Sequence, residues 1–244
     1  MSRLQGKTAV VTGGGSGIGL GAAKRFIEEG AFVYIFGRRQ AALDAALAQL
    51  GPKARAVSGS VTDLADLDRL YEAVKAERGG LDILFANAGT GSFAPLGEIT
   101  PEHYDQIFDV NVKGLLFTVQ KALPLMSAGG SIILTGSTTG VMGTPQFSVY
   151  SATKAAVRNL ARSWALDLGD TGIRVNVLSP GPIKTELAIE VVGEDGLAAL
   201  GATTPLGRMG DPAETAAVAA FLASSDSSFM TGGEVFVDGG LAQV

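Results

Sequence analysis

Short runs of β-branched and other apolar residues alternate along this chain with longer segments whose apolar positions recur at helical spacing. Thr8–Val11, Phe32–Phe36, Ala54–Ser58, Leu81–Ala86, Ser131–Thr135, Ile173–Leu178 and Glu234–Val237 read as strands. Helices are expected over Ile18–Glu29, over Gln40–Leu50 (closed by Gly51-Pro52), and near 63–77, 102–126, 152–168 and 212–223. Strands that are apolar almost throughout, separated by helices, predict an α/β fold with one parallel sheet covered on both faces. No repeat, linker or low-complexity tract interrupts the pattern, so residues 1–244 read as one domain.

Open sheets of this kind bind ligands outside the carboxyl ends of their strands. The unusual residues of this chain gather at those ends: the turn Gly13–Gly19, then Gly37-Arg38-Arg39, Asn87-Ala88-Gly89, Gly136-Ser137 and Ser179-Pro180-Gly181. The pattern therefore predicts one crevice on which distant segments converge. Thr12-Gly13-Gly14-Gly15-Ser16-Gly17-Ile18-Gly19 joins the first strand to the first helix. Glycines there let the backbone approach a pyrophosphate, while free amides and the helix dipole attract it. The spacing of Gly13, Gly17 and Gly19 is Gly-x-x-x-Gly-x-Gly rather than the strict Gly-x-Gly-x-x-Gly. A Walker phosphate loop is excluded, since Gly6-Lys7-Thr8 has Met1 where the first glycine belongs and precedes the strand.

The second strand ends in Gly37-Arg38-Arg39, where an acidic residue would grip the ribose 2′-hydroxyl of NAD. Arginine there suits a 2′-phosphate and adenine stacking, so NADP(H) is favoured over NAD(H), although Ser16 adds no second cation in the glycine turn. Tyr150 and Lys154 stand four residues apart at the start of a predicted helix, hence on one face. A cation beside a phenol lowers its pKa from the usual value near 10, which would let Tyr150 exchange a proton near neutrality. The Ser137 hydroxyl could hold a carbonyl or alcohol oxygen beside it.

Composition narrows the alternatives. The chain has no cysteine, which excludes disulfides, zinc–thiolate sites and thiol nucleophiles. Its one histidine, His103, follows Thr100-Pro101 at a helix start and reads as a surface or capping residue, leaving histidine triads without a base. Nineteen basic and 24 acidic residues give a net charge of −5, with no basic run longer than Arg38-Arg39, so no nucleic-acid partner is expected. No apolar run approaches the ~20 residues of a membrane span and no signal region opens the chain, so a soluble, cytoplasmic protein without a bound metal is expected.

In order, Thr12-Gly13-x-x-x-Gly17-x-Gly19, Asn87-Ala88-Gly89, Asn111, Ser137, Tyr150-x-x-x-Lys154, Pro180-Gly181 and Val237-Asp238-Gly239-Gly240 resemble the short-chain dehydrogenases/reductases over the whole chain. The resemblance implies a doubly wound Rossmann-type fold, a single sheet of seven strands, and hydride exchange between a nicotinamide dinucleotide and a carbonyl or secondary alcohol. It implies a catalytic group of Asn111, Ser137, Tyr150 and Lys154: Tyr150 as general acid or base, Lys154 lowering its pKa and bonding the nicotinamide ribose. Ser137 would orient the substrate oxygen, and Asn111 would hold a water beside Lys154. It implies cofactor contacts from Gly13, Ser16, Gly17, Ile18, Gly19, Arg38, Arg39, Val61, Asn87, Ala88, Gly89, Pro180, Gly181, Ile183 and Thr185, besides Tyr150 and Lys154. Two positions depart from the family pattern: Ser60 replaces an aspartate that contacts adenine, and Ala86 replaces the first asparagine of Asn-Asn-Ala-Gly.

The segment 185–207 resembles the family's variable substrate lid. With Leu187, Ile189, Val191 and Val192 it would favour a neutral, partly apolar substrate, alongside Val141, Gln146, Phe147 and Phe93 in the pocket wall. Branches acting on acyl-carrier-protein thioesters carry basic residues where this chain has Ala128-Gly129 and Asp170-Thr171. A small-molecule carbonyl reductase therefore ranks first, with a sugar or polyol dehydrogenase or a 3-oxoacyl thioester reductase as alternatives. A non-enzymatic NADP sensor is the reading from another class. Alanine-rich helices near 102–126 and 152–168 correspond to the family's dimer face, and a homotetramer is expected.

Overall fold

A computed structural model describes residues 2–244. Seven parallel strands form one sheet in the order β3-β2-β1-β4-β5-β6-β7. The strands are β1 (Thr8–Thr12), β2 (Phe32–Gly37), β3 (Ala54–Ser58), β4 (Leu81–Ala86), β5 (Met126–Thr135), β6 (Arg174–Pro180) and β7 (Glu234–Val237). The order reverses between β1 and β4, which opens a crevice at their carboxyl ends.

Strand residues alternate between two cores, as the pleat requires. Ala9, Val11, Val33, Ile35, Ile83 and Phe85 face a layer built by α1 (Gly17–Glu28), α2 (Gln40–Leu50) and α8 (Pro212–Ala223), where Phe26, Leu43 and Leu222 are buried. Val10, Tyr34, Leu84 and Ile132 face the opposite layer of α3 (Leu64–Arg78), α5 (Leu115–Ala122) and α6 (Ser148–Asp167), with Leu67, Val119 and Val157 buried. Both faces are therefore dry, which is why the strands carry so few polar positions. Among the described residues, no helix is long and apolar enough to cross a membrane.

Three elements depart from the expected pattern. The helix expected near 102–126 is broken into α4 (Pro101–Phe108), a π-turn (Asp109–Gly114) and α5. Strand β5 begins at Met126, which pairs with Leu81, and its register then shifts so that Ser131 pairs with Ile83, leaving Ser127-Ala128-Gly129-Gly130 as the irregularity. The segment expected as a lid is a helix, α7 (Glu186–Ala202), kinked at Gly193 where φ is 73°.

Candidate active site

The glycine turn follows β1 directly. Gly13 and Gly17 adopt φ of 66° and 53°, a left-handed geometry that side chains with a Cβ rarely take. A Cβ on Gly13 would lie 2.9 Å from Asn87 Nδ2, and one on Gly17 would lie 3.2 Å from Thr185 Cγ2. The turn thus packs tightly against the β4 and β6 ends. Ser16 occupies the N-cap of α1 in extended conformation, yet its side chain makes no capping hydrogen bond. The first-turn amides of α1 are left without a side-chain acceptor, as a phosphate site requires. This uncapped helix start fits the pyrophosphate of a dinucleotide.

The ends of β1, β4 and β5 are tied by one network. Thr12 Oγ1 accepts from the amides of Asn87 and Ala88, both at 3.0 Å, and Asn87 Nδ2 donates to the Thr12 carbonyl at 3.0 Å. Thr135 Oγ1 reaches Asn87 Oδ1 at 3.4 Å. Asn87 therefore serves the framework, and the adjoining Gly89 faces the catalytic group. A Cβ on Gly89 would lie 3.4 Å from Asn111 Oδ1 and 3.8 Å from Lys154 Nζ.

Beyond β2, Arg38 and Arg39 are both exposed. Arg39 is the uncapped N-cap of α2 and lies 3.7 Å from Glu186 on α7, while Arg38 makes no ion pair or side-chain hydrogen bond among the described residues. Val61 is buried against the π-turn, where a Cβ on Gly114 would meet its Cγ2 at 2.8 Å. At the two departures from the family pattern, the Ser60 amide donates to Asp66 at 2.8 Å, and Ala86 is buried in β4. On the far side, Gly181 backs onto Asp238, with a Cβ there only 2.6 Å from Asp238 Cα. Pro180 ends β6, and Ile183 bridges to Gly210 through the Lys184 amide and the Pro182 carbonyl, which leaves Ile183's own peptide groups out of that bridge. Thr185 caps α7, accepting from the Ala188 amide at 3.1 Å, so its hydroxyl proton remains able to donate.

Tyr150 lies in the first turn of α6, two residues inside the helix. Lys154 is buried, its Nζ 5.3 Å from the centre of the Tyr150 ring, and it donates to the Thr135 carbonyl at 2.9 Å. Burial lowers Lys154 to about 8. It pushes Tyr150 up to about 12, opposed by hydrogen bonding from Ser137, although part of the ring still opens on the crevice. Burial thus sets the direction at Tyr150, against the acidifying influence expected from Lys154. Dense surrounding protein outweighs a cation that sits over the ring rather than at the hydroxyl. Ser137, extended after β5, accepts from the Thr139 amide at 3.2 Å and the Thr139 hydroxyl at 3.0 Å, which leaves its own proton to donate toward Tyr150 or a ligand oxygen.

Asn111 is almost wholly buried in the π-turn. Its Oδ1 accepts from the Thr90 amide at 2.9 Å, and its Nδ2 donates to the Thr90 carbonyl at 2.8 Å and to Thr153 Oγ1 at 3.1 Å. Its amide group therefore clamps the loop after β4. Three participants escaped the sequence reading: Thr90, held at both peptide groups; the Thr135 carbonyl; and Gly91, where a Cβ would lie 2.9 Å from Tyr150 Cδ2. Two act through their backbones and the third through having no side chain, so no pattern of side-chain types marks them.

Among the expected substrate-wall residues, Phe93 and Phe147 stack with ring centres 4.4 Å apart, and Phe147 stacks on Tyr150 at the same separation. Val141 and Leu187 expose 43% and 46% of their surface, enough to offer apolar area to a ligand. Gln146 is exposed and holds a φ of 60°.

A family model described as enoyl-(acyl carrier protein) reductase matches residues 13–242. The chain is 67% identical to oxidoreductase asL5 of Sarocladium schorii, over 100% of this chain and 99% of that protein. It is 40% identical to galactitol 2-dehydrogenase of Agrobacterium fabrum (strain C58), over 98% of each. Among solved structures it resembles a short-chain type dehydrogenase/reductase from Mycobacterium marinum, with a TM-score of 0.93 at 35% identity, covering 100% of this chain and 98% of that one.

Proposed function

The chain belongs to the short-chain dehydrogenase/reductase family, a family of NAD(P)(H) oxidoreductases acting on CH–OH groups, and on that premise we propose that it interconverts a ketone and a secondary alcohol with Tyr150 as general acid/base. One observation carries the reading: Tyr150, buried Lys154 and a Ser137 whose hydroxyl can donate share the crevice that begins at an uncapped glycine turn. A dinucleotide held by the glycine turn would supply or accept the hydride.

The protein's own part is proton handling and orientation. A phenol held near 12 is fully protonated at neutral pH, so in carbonyl reduction Tyr150 can donate its proton to the developing alkoxide. Ser137 donates to the same oxygen and fixes its position. Lys154 replaces positive charge near the phenol after its proton leaves. Because the Asn111 side chain is engaged with Thr90 and Thr153, any water it holds beside Lys154 would use its carbonyl or the remaining Oδ1 lone pair, in the space left by Gly89.

Unpaired Arg38, beside Arg39, supports NADP(H) over NAD(H). Exposed Phe93, Val141 and Leu187 support a neutral, partly apolar substrate. The lid argues the same way, since its Glu186, Glu190, Glu194 and Asp195 would repel an anionic one. We also propose a homotetramer, and a monomeric mass by light scattering at micromolar concentration would contradict it.

The decisive experiment is a panel of ketones, sugars and polyols assayed in both directions with NADP(H) and NAD(H), on the wild type and on Tyr150→Phe. The variant should lose about 10²–10⁴-fold in kcat while still binding dinucleotide. Undiminished turnover in Tyr150→Phe would remove the phenol from the chemistry. A panel on which no compound changes the rate of NADPH oxidation would favour the non-enzymatic sensor.

A further inference from the structure

We propose that Phe147 is a positioning residue for the Tyr150 phenol, its ring clamped between Phe93 and Tyr150 and its place set by the left-handed backbone of Gln146. The proposal rests on reading Tyr150 as the proton-transfer group.

The three rings form one continuous stack. Phe93 lies 4.4 Å from Phe147 with 29° between planes, and Phe147 lies 4.4 Å from Tyr150 with 26° between planes. These are offset-stacked separations, at which each ring restricts the tilt of the next. Gly91 closes the arrangement from the loop after β4, since a Cβ there would lie 2.9 Å from Tyr150 Cδ2 and 3.1 Å from Phe147 Cζ. The Tyr150 ring therefore meets Phe147 across its face and the Gly91 backbone at its edge, with Lys154 over the ring.

The backbone at 146 and 147 is locally unfavourable. Gln146 is the only non-glycine residue with positive φ among those described, and its side chain is exposed, so the side chain does not account for the conformation. Its carbonyl accepts from the Ala94 amide at 2.8 Å, tying the Phe93 loop to the Phe147 turn. Phe147 then occupies the N-cap of α6, a position that favours Ser, Thr, Asp or Asn, and no side chain caps this helix. Two consecutive positions forgo local stability, and what they deliver is an aromatic ring against the phenol. Such conflicts between local preference and fold are expected where function sets the geometry.

The stack also keeps water from one side of Tyr150, in keeping with a phenol that burial holds above its ordinary value. The titratable groups around it are few. Lys154 faces the ring from α6, and His103 of α4 reaches Ser92 on the Phe93 loop at 3.4 Å.

The test compares Phe147→Ala, Phe147→Leu and Phe147→Tyr in the full chain, with kcat, KM, dinucleotide Kd and the ionisation of Tyr150 as readouts. The ionisation is read as tyrosinate absorbance, each protein measured against its own Tyr150→Phe counterpart, and so needs no substrate. In Phe147→Ala, kcat should fall about tenfold to a hundredfold because the phenol is no longer held in line. Dinucleotide Kd should stay within about twofold, as expected when only transition-state geometry is lost. The Tyr150 ionisation should move to lower pH as water enters, and Phe147→Tyr should restore both kcat and ionisation while Phe147→Leu does not. If Phe147→Ala does not fold, the Leu and Tyr variants alone decide. A folded Phe147→Ala with wild-type kcat and ionisation overturns the proposal, as does a Phe147→Leu equal to wild type, which would reduce the ring to apolar bulk. Turnover surviving in Tyr150→Phe is a separate result, sinking the acid/base reading itself.

Discussion

The helices of this molecule start in two ways, with and without a side-chain cap. Helices α3, α4 and α8 open on a side-chain cap from Asp63, Thr100 and Asp211, the last forming a full capping box with Glu214. Helices α1, α2 and α6 open on Ser16, Arg39 and Phe147, and none is capped. An N-cap is worth roughly 0.5–2 kcal/mol, so its absence at the starts of α1, α2 and α6 is a real concession. Under the proposed function the reasons differ: at α1 the free amides would be the useful feature, at α2 a guanidinium, and at α6 a ring against the phenol. Helix α7 is capped as well, by Thr185, which also faces the glycine turn; a hydroxyl can do both because it both accepts and donates.

The contrast can be pressed at several points. The largest effect belongs to α2. Arg38→Asp should swing the ratio of kcat/KM for NADP against NAD by about a hundredfold toward NAD, through loss of a charge-assisted phosphate contact and gain of repulsion. An unchanged ratio would remove Arg38 from the cofactor site.

Next comes the cost of burying Lys154. Its value falls from 10.5 to about 8 in the folded protein, so between those limits the unfolded chain binds more protons. Stability should therefore rise as pH climbs from about 8 toward 10, and the slope should vanish in Lys154→Met. Tyr150 works in the opposite sense. Raised to about 12, it makes the folded state retain a proton the unfolded chain loses, so stability should fall above pH 10. Thermal melts across this range, compared with Lys154→Met and Tyr150→Phe, test both signs.

The smallest effect is the most diagnostic of the contrast itself. Ser16→Asp supplies a capping carboxylate to α1 and should stabilise the protein by about 0.5–1 kcal/mol, while weakening dinucleotide binding about tenfold by repelling phosphate. Asp211→Ala, at a helix start with no ligand role, should cost about 1 kcal/mol and leave turnover unaltered. If Ser16→Asp improves both stability and binding, the uncapped start of α1 is not an anion site.

Legibility followed the distance over which a feature's cause extends. The glycine turn, Tyr150 with Lys154, and β1, β2, β3, β4 and β7 were readable because their signals lie within a few consecutive residues. The break at Asp109–Gly114 was not, since Asp-Val-Asn-Val-Lys-Gly reads as ordinary helix and the π-turn reflects the Asn111 amide gripping both peptide groups of Thr90. The first half of β5 was hidden because Ser127-Ala128-Gly129-Gly130 carries no strand-like run of apolar residues and forms the irregularity between the Met126 and Ser131 pairings with β4. Phe93 and Phe147 were legible as apolar wall residues, but nothing in their spacing indicated that they stack in series on the phenol.

By itself, the sequence determined the layered α/β fold, the glycine turn after the first strand and the proposed proton-transfer pair, because apolar periodicity and short motifs are local. Only the tertiary structure decided the environment of that group. Lys154 turns to the Thr135 carbonyl, Asn111 is occupied with Thr90, and burial pushes Tyr150 up rather than down. Desolvation and stacking depend on which distant segments close around a side chain, and that information exists only once the chain has folded.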